Sequence, residues 1–376
     1  MAFNLLLVAL VFFPFKLIGG VSVFYLILMY FIFFGIKSIL TSRYLLKNEI
    51  IWILLILLVI FRVFWSMLDI GWESALAMLF LKGFITFFGI YGVSAYIIKS
   101  KWSEDDSIFT ITTLFVILSS MLVYLLLFVL SDVAFNYDSL TRQIGQLVHF
   151  SFSTDDVDFE SRLVMRNSLG EIFALILIIV SLSKSKYKKF ISSMVFVFVI
   201  ISFSRKALLV ALPPFFLALY STTITNKSKK LIYWLLFTAL LISALLFAIG
   251  FNIEARQLNF ADEARLLMNA HVLSQDFYEL LVGNGKDAIY SGKNIHSAPL
   301  NELYKFGIIG FLILSLIYIS LLREAAFSIA NKHLYGFYLL VPIVSLLVSS
   351  IFEFIMTPAS LLAIGIYYGK KYQKKV

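Results

Sequence analysis

Long apolar runs separated by short polar breaks extend along the whole chain. The runs are continuous rather than alternating residue by residue, which excludes a membrane β-barrel. Inside a bilayer the remaining way to satisfy every backbone N–H and C=O is the α-helix. The pattern predicts spans at approximately 3–17, 20–40, 49–67, 75–98, 107–130, 168–183, 190–204, 207–221, 231–250, 305–322, 334–352 and 357–369. The first and last are short, so the count is 11–12. Residues 1–15 carry no basic segment ahead of the apolar run and read as a first span rather than a secretory signal. The fold class expected is all-α: a polytopic integral membrane protein of about twelve transmembrane helices, forming one membrane-embedded domain over residues 1–376.

Composition agrees with this pattern. Of 376 residues, 61% are apolar and 14% charged, against about 25% charged in an ordinary soluble chain. A folded core grows more slowly than chain length, so a soluble protein of this size has no room to hide that much apolar surface. A soluble enzyme and a disordered scaffold are both excluded. Spans of about 20 residues each use roughly 240 residues and leave roughly 136 for loops and tails. The chemistry must then sit at span ends, in the bilayer, or in one or two modest loops. The absence of cysteine excludes disulfides, thiolate metal sites and cysteine nucleophiles.

Charge sets the orientation. Lys37, Arg43 and Lys47, then Lys99 and Lys101, Lys184, Lys186, Lys188 and Lys189, Lys227, Lys229 and Lys230, Arg323 and Lys332, and Lys370, Lys371, Lys374 and Lys375 fall in one set of short loops. By the positive-inside rule these segments, and both termini, are cytoplasmic. The formal charge of +9 thus reflects topology, and no nucleic-acid partner is expected. The other side carries two long loops, 131–167 and 251–304, which hold His149, His271 and His296. Loops longer than connection requires are often functional, so the extracytoplasmic face is the expected working face.

Arg205 stands out first. The chain between lysines 184–189 and 227–230 must cross twice, and its apolar stretch is broken only at Ser202, Ser204, Arg205 and Lys206. Arg205 is therefore at the far tip of a helical hairpin. One arm, 190–203, gives about 21 Å of helix against a ~30 Å hydrocarbon core, so the tip sits deep or the bilayer thins. A charge at that depth is a functional candidate; the plainer alternative is that Arg205 and Lys206 snorkel to headgroup phosphates. Pro213 and Pro214 are expected to kink the returning arm.

The second long loop contains Arg256 and Arg265 at helical spacing with Leu258, Ala261, Ala264 and Met268, the pattern of an amphipathic helix on the membrane surface. Arginine forks suit anionic oxygens; pairing with Glu254, Asp262 and Glu263 is the alternative. Gly283-Asn284-Gly285 predicts a tight turn. His296 precedes an apolar helix whose start is marked by Ser297, Pro299 and Glu302, and a histidine there can serve as a general base. Arg162 and Arg166 lie one helical turn apart, with Asp155, Asp156, Asp158 and Glu160 as alternative partners. Asp156-Val-Asp158 formally matches a metal-binding D-x-D, but on the side that lacks nucleotide sugars; neither metal nor cofactor is expected. Arg62 and Lys82 fall within spans and are expected to snorkel or to pair with Asp69, Glu73 or each other.

Three motifs occur in order on one side: Ser204-Arg205-x-Ala207 with Leu209; Arg265 ahead of Gly283-x-Gly285; and His296-Ser297 followed by Gly307-x-x-Gly310. Together, over roughly 160–320, they resemble the O-antigen polymerase/O-antigen ligase superfamily of bacterial inner-membrane enzymes. Where that family often has glycine after the hairpin arginine and asparagine after the histidine, this chain has Lys206 and Ser297. The resemblance implies a GT-C-like membrane glycosyltransferase architecture. The implied donor and acceptor are undecaprenyl-diphosphate-linked oligosaccharides, taken from the lipid bilayer, and a polysaccharide chain-length regulator is implied as partner. It further implies that Arg205 and Arg265 grip the diphosphate and that His296 acts on the incoming hydroxyl. Arg162, Arg166, Arg256 and Glu302 complete the expected substrate-binding set. Polymerisation of surface-polysaccharide repeat units is the leading expectation, transfer to lipid A-core by a ligase the nearest alternative, and a flippase for the same carrier lipid the alternative of another class.

Overall fold

A computed structural model of the chain describes residues 1–12, 22–41, 50–70, 81–132, 159–202, 204–220, 270–284, 289–290, 293–294, 298–348 and 357–373. These residues are helical, apart from short connections and one pair of two-residue antiparallel strands, β1 (Ile289–Tyr290) and β2 (Lys293–Asn294). In chain order the helices are α1 (Ala2–Val11), α2 (Val23–Thr41), α3 (Ile50–Ile70), α4 (Leu81–Ser100), α5 (Asp105–Asp132), α6 (Phe159–Leu182), α7 (Lys188–Ile201), α8 (Arg205–Tyr220), α9 (Phe277–Val282) and α10 (Ala298–Ala330). A 3-10 turn (Leu334–Leu339), α11 (Leu340–Val348) and α12 (Pro358–Gln373) follow.

Eleven of the predicted spans overlap helices over their described residues; the span at 231–250 lies outside the described residues. By length and composition, Val23–Thr41, Gly83–Ser100 and Leu300–Ala330 can cross a membrane, and shorter apolar helices accompany them. The boundaries differ from expectation in two useful places. Helix α6 begins at Phe159, so Arg162 and Arg166 lie on helix rather than in loop. Helix α10 begins at Ala298, immediately after the His296-Ser297 motif, and is interrupted at Gly307. The start agrees with the signals at Ser297, Pro299 and Glu302, and lies ahead of the apolar span expected from 305.

Among the described residues, two helices are buried continuously over most of their length. In α6 every residue from Leu169 to Ser181 is buried, and in α12 every residue from Pro358 to Gly369 is buried. Helix α6 packs against α7 and α8, while α4 is held between α2 and α12. Small residues allow the close approaches that lipid, lacking a hydrophobic driving force between helices, otherwise does not reward. A side chain at Gly92 would stand 1.9 Å from the Phe31 carbonyl of α2, and one at Gly365 would stand 2.7 Å from Val93 of α4. Buried Ser94 donates to the carbonyls of Ile90 (2.9 Å) and Gly365 (3.0 Å), satisfying its hydroxyl within the interface.

The segments that share a side by their lysines meet at one end of the bundle. Lys370 Nζ donates to Glu104 Oε2 (2.8 Å) and to the Trp102 carbonyl (3.0 Å). Lys371 Nζ and Tyr367 OH both donate to Glu324 Oε2. The Lys184 amide donates to Asp105 Oδ1 (2.7 Å), and Asn4 Nδ2 donates to the Asp106 carbonyl (2.9 Å). Loops that the charge pattern put on one side are thus joined by hydrogen bonds. Lys188 is an exception there: its Nζ is buried without a hydrogen-bond partner.

Candidate functional site

The hairpin tip is built by a cap, a close contact and an ion pair. Ser204 occupies the N-cap of α8: its carbonyl accepts the first helical bond from Leu208 N (3.0 Å) and its hydroxyl accepts from Ala207 N (3.4 Å). Arg205 is therefore the first residue of α8, where the helix dipole is positive and free N–H groups cluster. Gly170 of α6 lies beneath. A Cβ there would meet Ser204 Cβ at 2.6 Å, Ala207 Cβ at 2.8 Å and Ser202 Oγ at 2.8 Å.

Lys206 does not snorkel outward. It is buried, and its ammonium is paired with the buried carboxylate of Glu171, the residue after Gly170. Glu171 also accepts from Ser345 Oγ of α11 (3.1 Å) and from Thr357 Oγ1 (2.7 Å). Thr357 in turn caps α12 by accepting from Ser360 N (3.2 Å). Four helices converge on one carboxylate. The alternative of snorkelling does not hold for Lys206, because a buried carboxylate close by offers its ammonium a shorter route to neutrality than a distant headgroup. Pro213 and Pro214 both lie inside α8, which continues past them to Tyr220.

A second assembly joins the end of the long loop to the start of α10. Gly283 (φ +88°) and Gly307 (φ +66°) touch backbone to backbone: a Cβ on Gly283 would stand 2.5 Å from Gly307 N, and one on Gly307 would stand 2.4 Å from the Leu281 carbonyl. The Asn284 amide donates to the Tyr304 carbonyl (2.7 Å) beside the interruption in α10. The His271 ring lies 6.2 Å from that of Tyr304. Two glycines from separate sequence motifs are thus neighbours in space.

Glu302, expected as a substrate-binding residue, is engaged by Arg62 of α3. Arg62 Nε donates to Oε1 at 2.9 Å and Nη2 donates to Oε2, a bidentate fork. The guanidinium also lies over the Phe306 ring, 5.3 Å from its centroid. Arg62 thus has a partner that the sequence reading did not name, and Glu302 meets it because α3 and α10 pack together; the side chains of Asp69, Glu73 and Lys82 lie outside the described residues. The partner was hidden by 240 residues of separation.

The remaining expected site residues divide by position. Arg162 and Arg166 are on α6, and Arg205 heads α8. Arg256, Arg265 and His296 lie outside the described residues, as do Asp156 and Asp158. Sequence reasoning missed Glu171. Its signal was a lone carboxylate in the otherwise apolar run from Leu169 to Val180, which is costly unless paired. No known protein family, curated protein or solved structure matches the chain.

Proposed function

We propose that the chain is a polyprenyl-diphosphate-dependent glycosyltransferase of the bacterial inner membrane. In this reading it polymerises repeat units of a surface polysaccharide, O-antigen or capsule, on the extracytoplasmic face, within a frame of about twelve spans and a GT-C-like architecture. The observation that carries this reading is the contact of Gly283 with Gly307. It joins the end of the long loop to the helix that follows His296, so two of the three ordered motifs converge, as a single site built from them requires. The buried, capped hairpin tip beneath Arg205 supports the third.

The chemistry follows from the leaving group. A sugar hydroxyl on the acceptor attacks the anomeric carbon of the donor glycan. The bond from that carbon to the carrier diphosphate breaks, and the electron pair leaves with the diphosphate. His296 takes the hydroxyl proton. Arg205 and Arg265, held in a site of low dielectric, stabilise the charge growing on the diphosphate. Attack in line with the departing oxygen inverts the anomeric centre. Arg162, Arg166 and Arg256 guide the anionic carrier and glycan. Glu302 orients this region through Arg62.

The test is elongation of carrier-linked repeat units by the purified protein without added energy source or metal. Arg205→Ala, Arg265→Ala and His296→Ala are each expected to abolish extension while the protein still inserts; normal chain length in any of them removes that residue from the mechanism. A ligase would instead transfer the glycan to lipid A-core. A flippase for the same lipid is favoured by one observation, the interruption of α10 at Gly307 on the helix that carries the part-buried Arg62–Glu302 pair. It would move the carrier lipid without lengthening the glycan.

A further inference from the structure

We propose that the Lys206–Glu171 ion pair is a positioning device for Arg205, an inference that rests on reading Arg205 as a diphosphate-binding residue. The two neighbouring cations at the hairpin tip have separate roles. Lys206 is spent internally: its charge is cancelled by Glu171, and both side chains are almost wholly enclosed, at 5% and 2% exposure. Arg205, the first residue of α8, is the neighbouring cation that this reading assigns to the diphosphate.

The geometry shows why this pair fixes its neighbour. Successive residues of an α-helix are about 100° apart around the axis. Tying Lys206 to one point therefore sets the rotation of the first turn of α8, and with it the position of the Arg205 backbone. The anchor point does not move with α8. Glu171 is held from α6, from α11 through Ser345 and from the cap of α12 through Thr357. Depth is set separately, by Gly170 packed under Ser204 and Ala207 with no room for a methyl group. Rotation and depth of the tip are both determined by groups that touch no substrate.

Stability alone gives a poor account of such a pair. Replacing a buried ion pair by apolar residues of similar size is often neutral or stabilising, whereas removing one partner strands the other. A pair used for direction and a pair used for folding therefore respond differently to double substitution. Glu171→Gln or Lys206→Met alone is expected to lower the melting temperature and elongation together. The combined variant Glu171→Gln/Lys206→Met is expected to recover the melting temperature of the natural protein. Its kcat for elongation should stay at least about tenfold lower, with KM for the acceptor unchanged, because leaving-group stabilisation depends on placement within fractions of an ångström. Wild-type kcat in the stable double variant overturns the proposal.

If the double variant does not fold, Ser345→Ala decides. It removes one hydroxyl from Glu171 and leaves the pair intact; a several-fold fall in kcat at unchanged melting temperature supports the positioning role, and unchanged kcat overturns it. Arg205→Ala in the same assay separates the two levels. If it retains elongation, the reading of the site fails and this inference with it. If it is inactive while the double variant is fully active, the inference alone fails.

Discussion

Gly283 (φ 88°, ψ 156°) and Gly307 (φ 66°, ψ −169°) occupy a part of backbone space that is essentially closed to other residues. The strain of placing an L-residue there costs about 1–3 kcal/mol, and forcing a methyl group against a carbonyl adds about 1–3 kcal/mol. Gly307→Ala is accordingly expected to lower the unfolding midpoint in detergent markedly, and an unchanged midpoint would contradict the close contact. Lys188 is the opposite kind of residue, costly as it stands. Burial pushes its ammonium pKa below the usual lysine range, with Lys189 adding to the effect and Asp105 opposing it. Unfolding releases it to a site where it binds its proton more readily, so its presence destabilises the fold at neutral pH. Lys188→Met is expected to raise the melting temperature at pH 7. That gain should shrink as pH rises from the depressed folded pKa toward the ordinary lysine value, because the native ammonium is then already neutral. A gain that stays constant with pH would show that charge is not the cause.

At the scale of elements, pairing across the bundle decides how helices are placed. Arg62 of α3 and Glu302 of α10 form a bidentate pair with 14% and 6% of their side chains exposed. Breaking a buried pair by removing one partner costs about 3–5 kcal/mol. Glu302→Gln should therefore destabilise the protein strongly, and adding Arg62→Met should recover most of the loss; a mild single variant would mean that the pair is solvated. These pairings also mark where sequence reading reaches its limit. The apolar runs of α2, α4 and α12 were legible because hydrophobicity over a span length is a local property. The helix start after Ser297 was legible from local chemistry too, while the turn expected at Gly283-Asn284-Gly285 runs into residues outside those described. The partners of Arg62 and Lys206 were not, because spacing along a chain reveals only neighbours one helical turn away. Glu302 and Glu171 are distant in sequence and adjacent only after folding.

At the scale of the whole molecule, one end gathers Asn4, Glu104, Asp105, Lys184, Glu324, Tyr338, Lys370 and Lys371 into a hydrogen-bonded layer. The chain has no cysteine, so single cysteines can be introduced without a background. Lys186→Cys and Asn331→Cys are expected to react with a membrane-impermeant thiol reagent only from the cytoplasmic side, and Lys293→Cys only from the other; labelling of all three from one side would overturn the orientation. Helix α10 runs from the layer of charges, at Glu324, to the loop contact at Gly307. That contact has a genetic consequence. A clash between side chains can be relieved by a smaller residue opposite, but here both partners are already glycine and the opposing surface is main chain. No second-site substitution at the facing position can restore room. A selection for revertants of a Gly283 or Gly307 substitution should return true reversion, or changes that lengthen or re-route the loop, rather than a compensating residue across the contact.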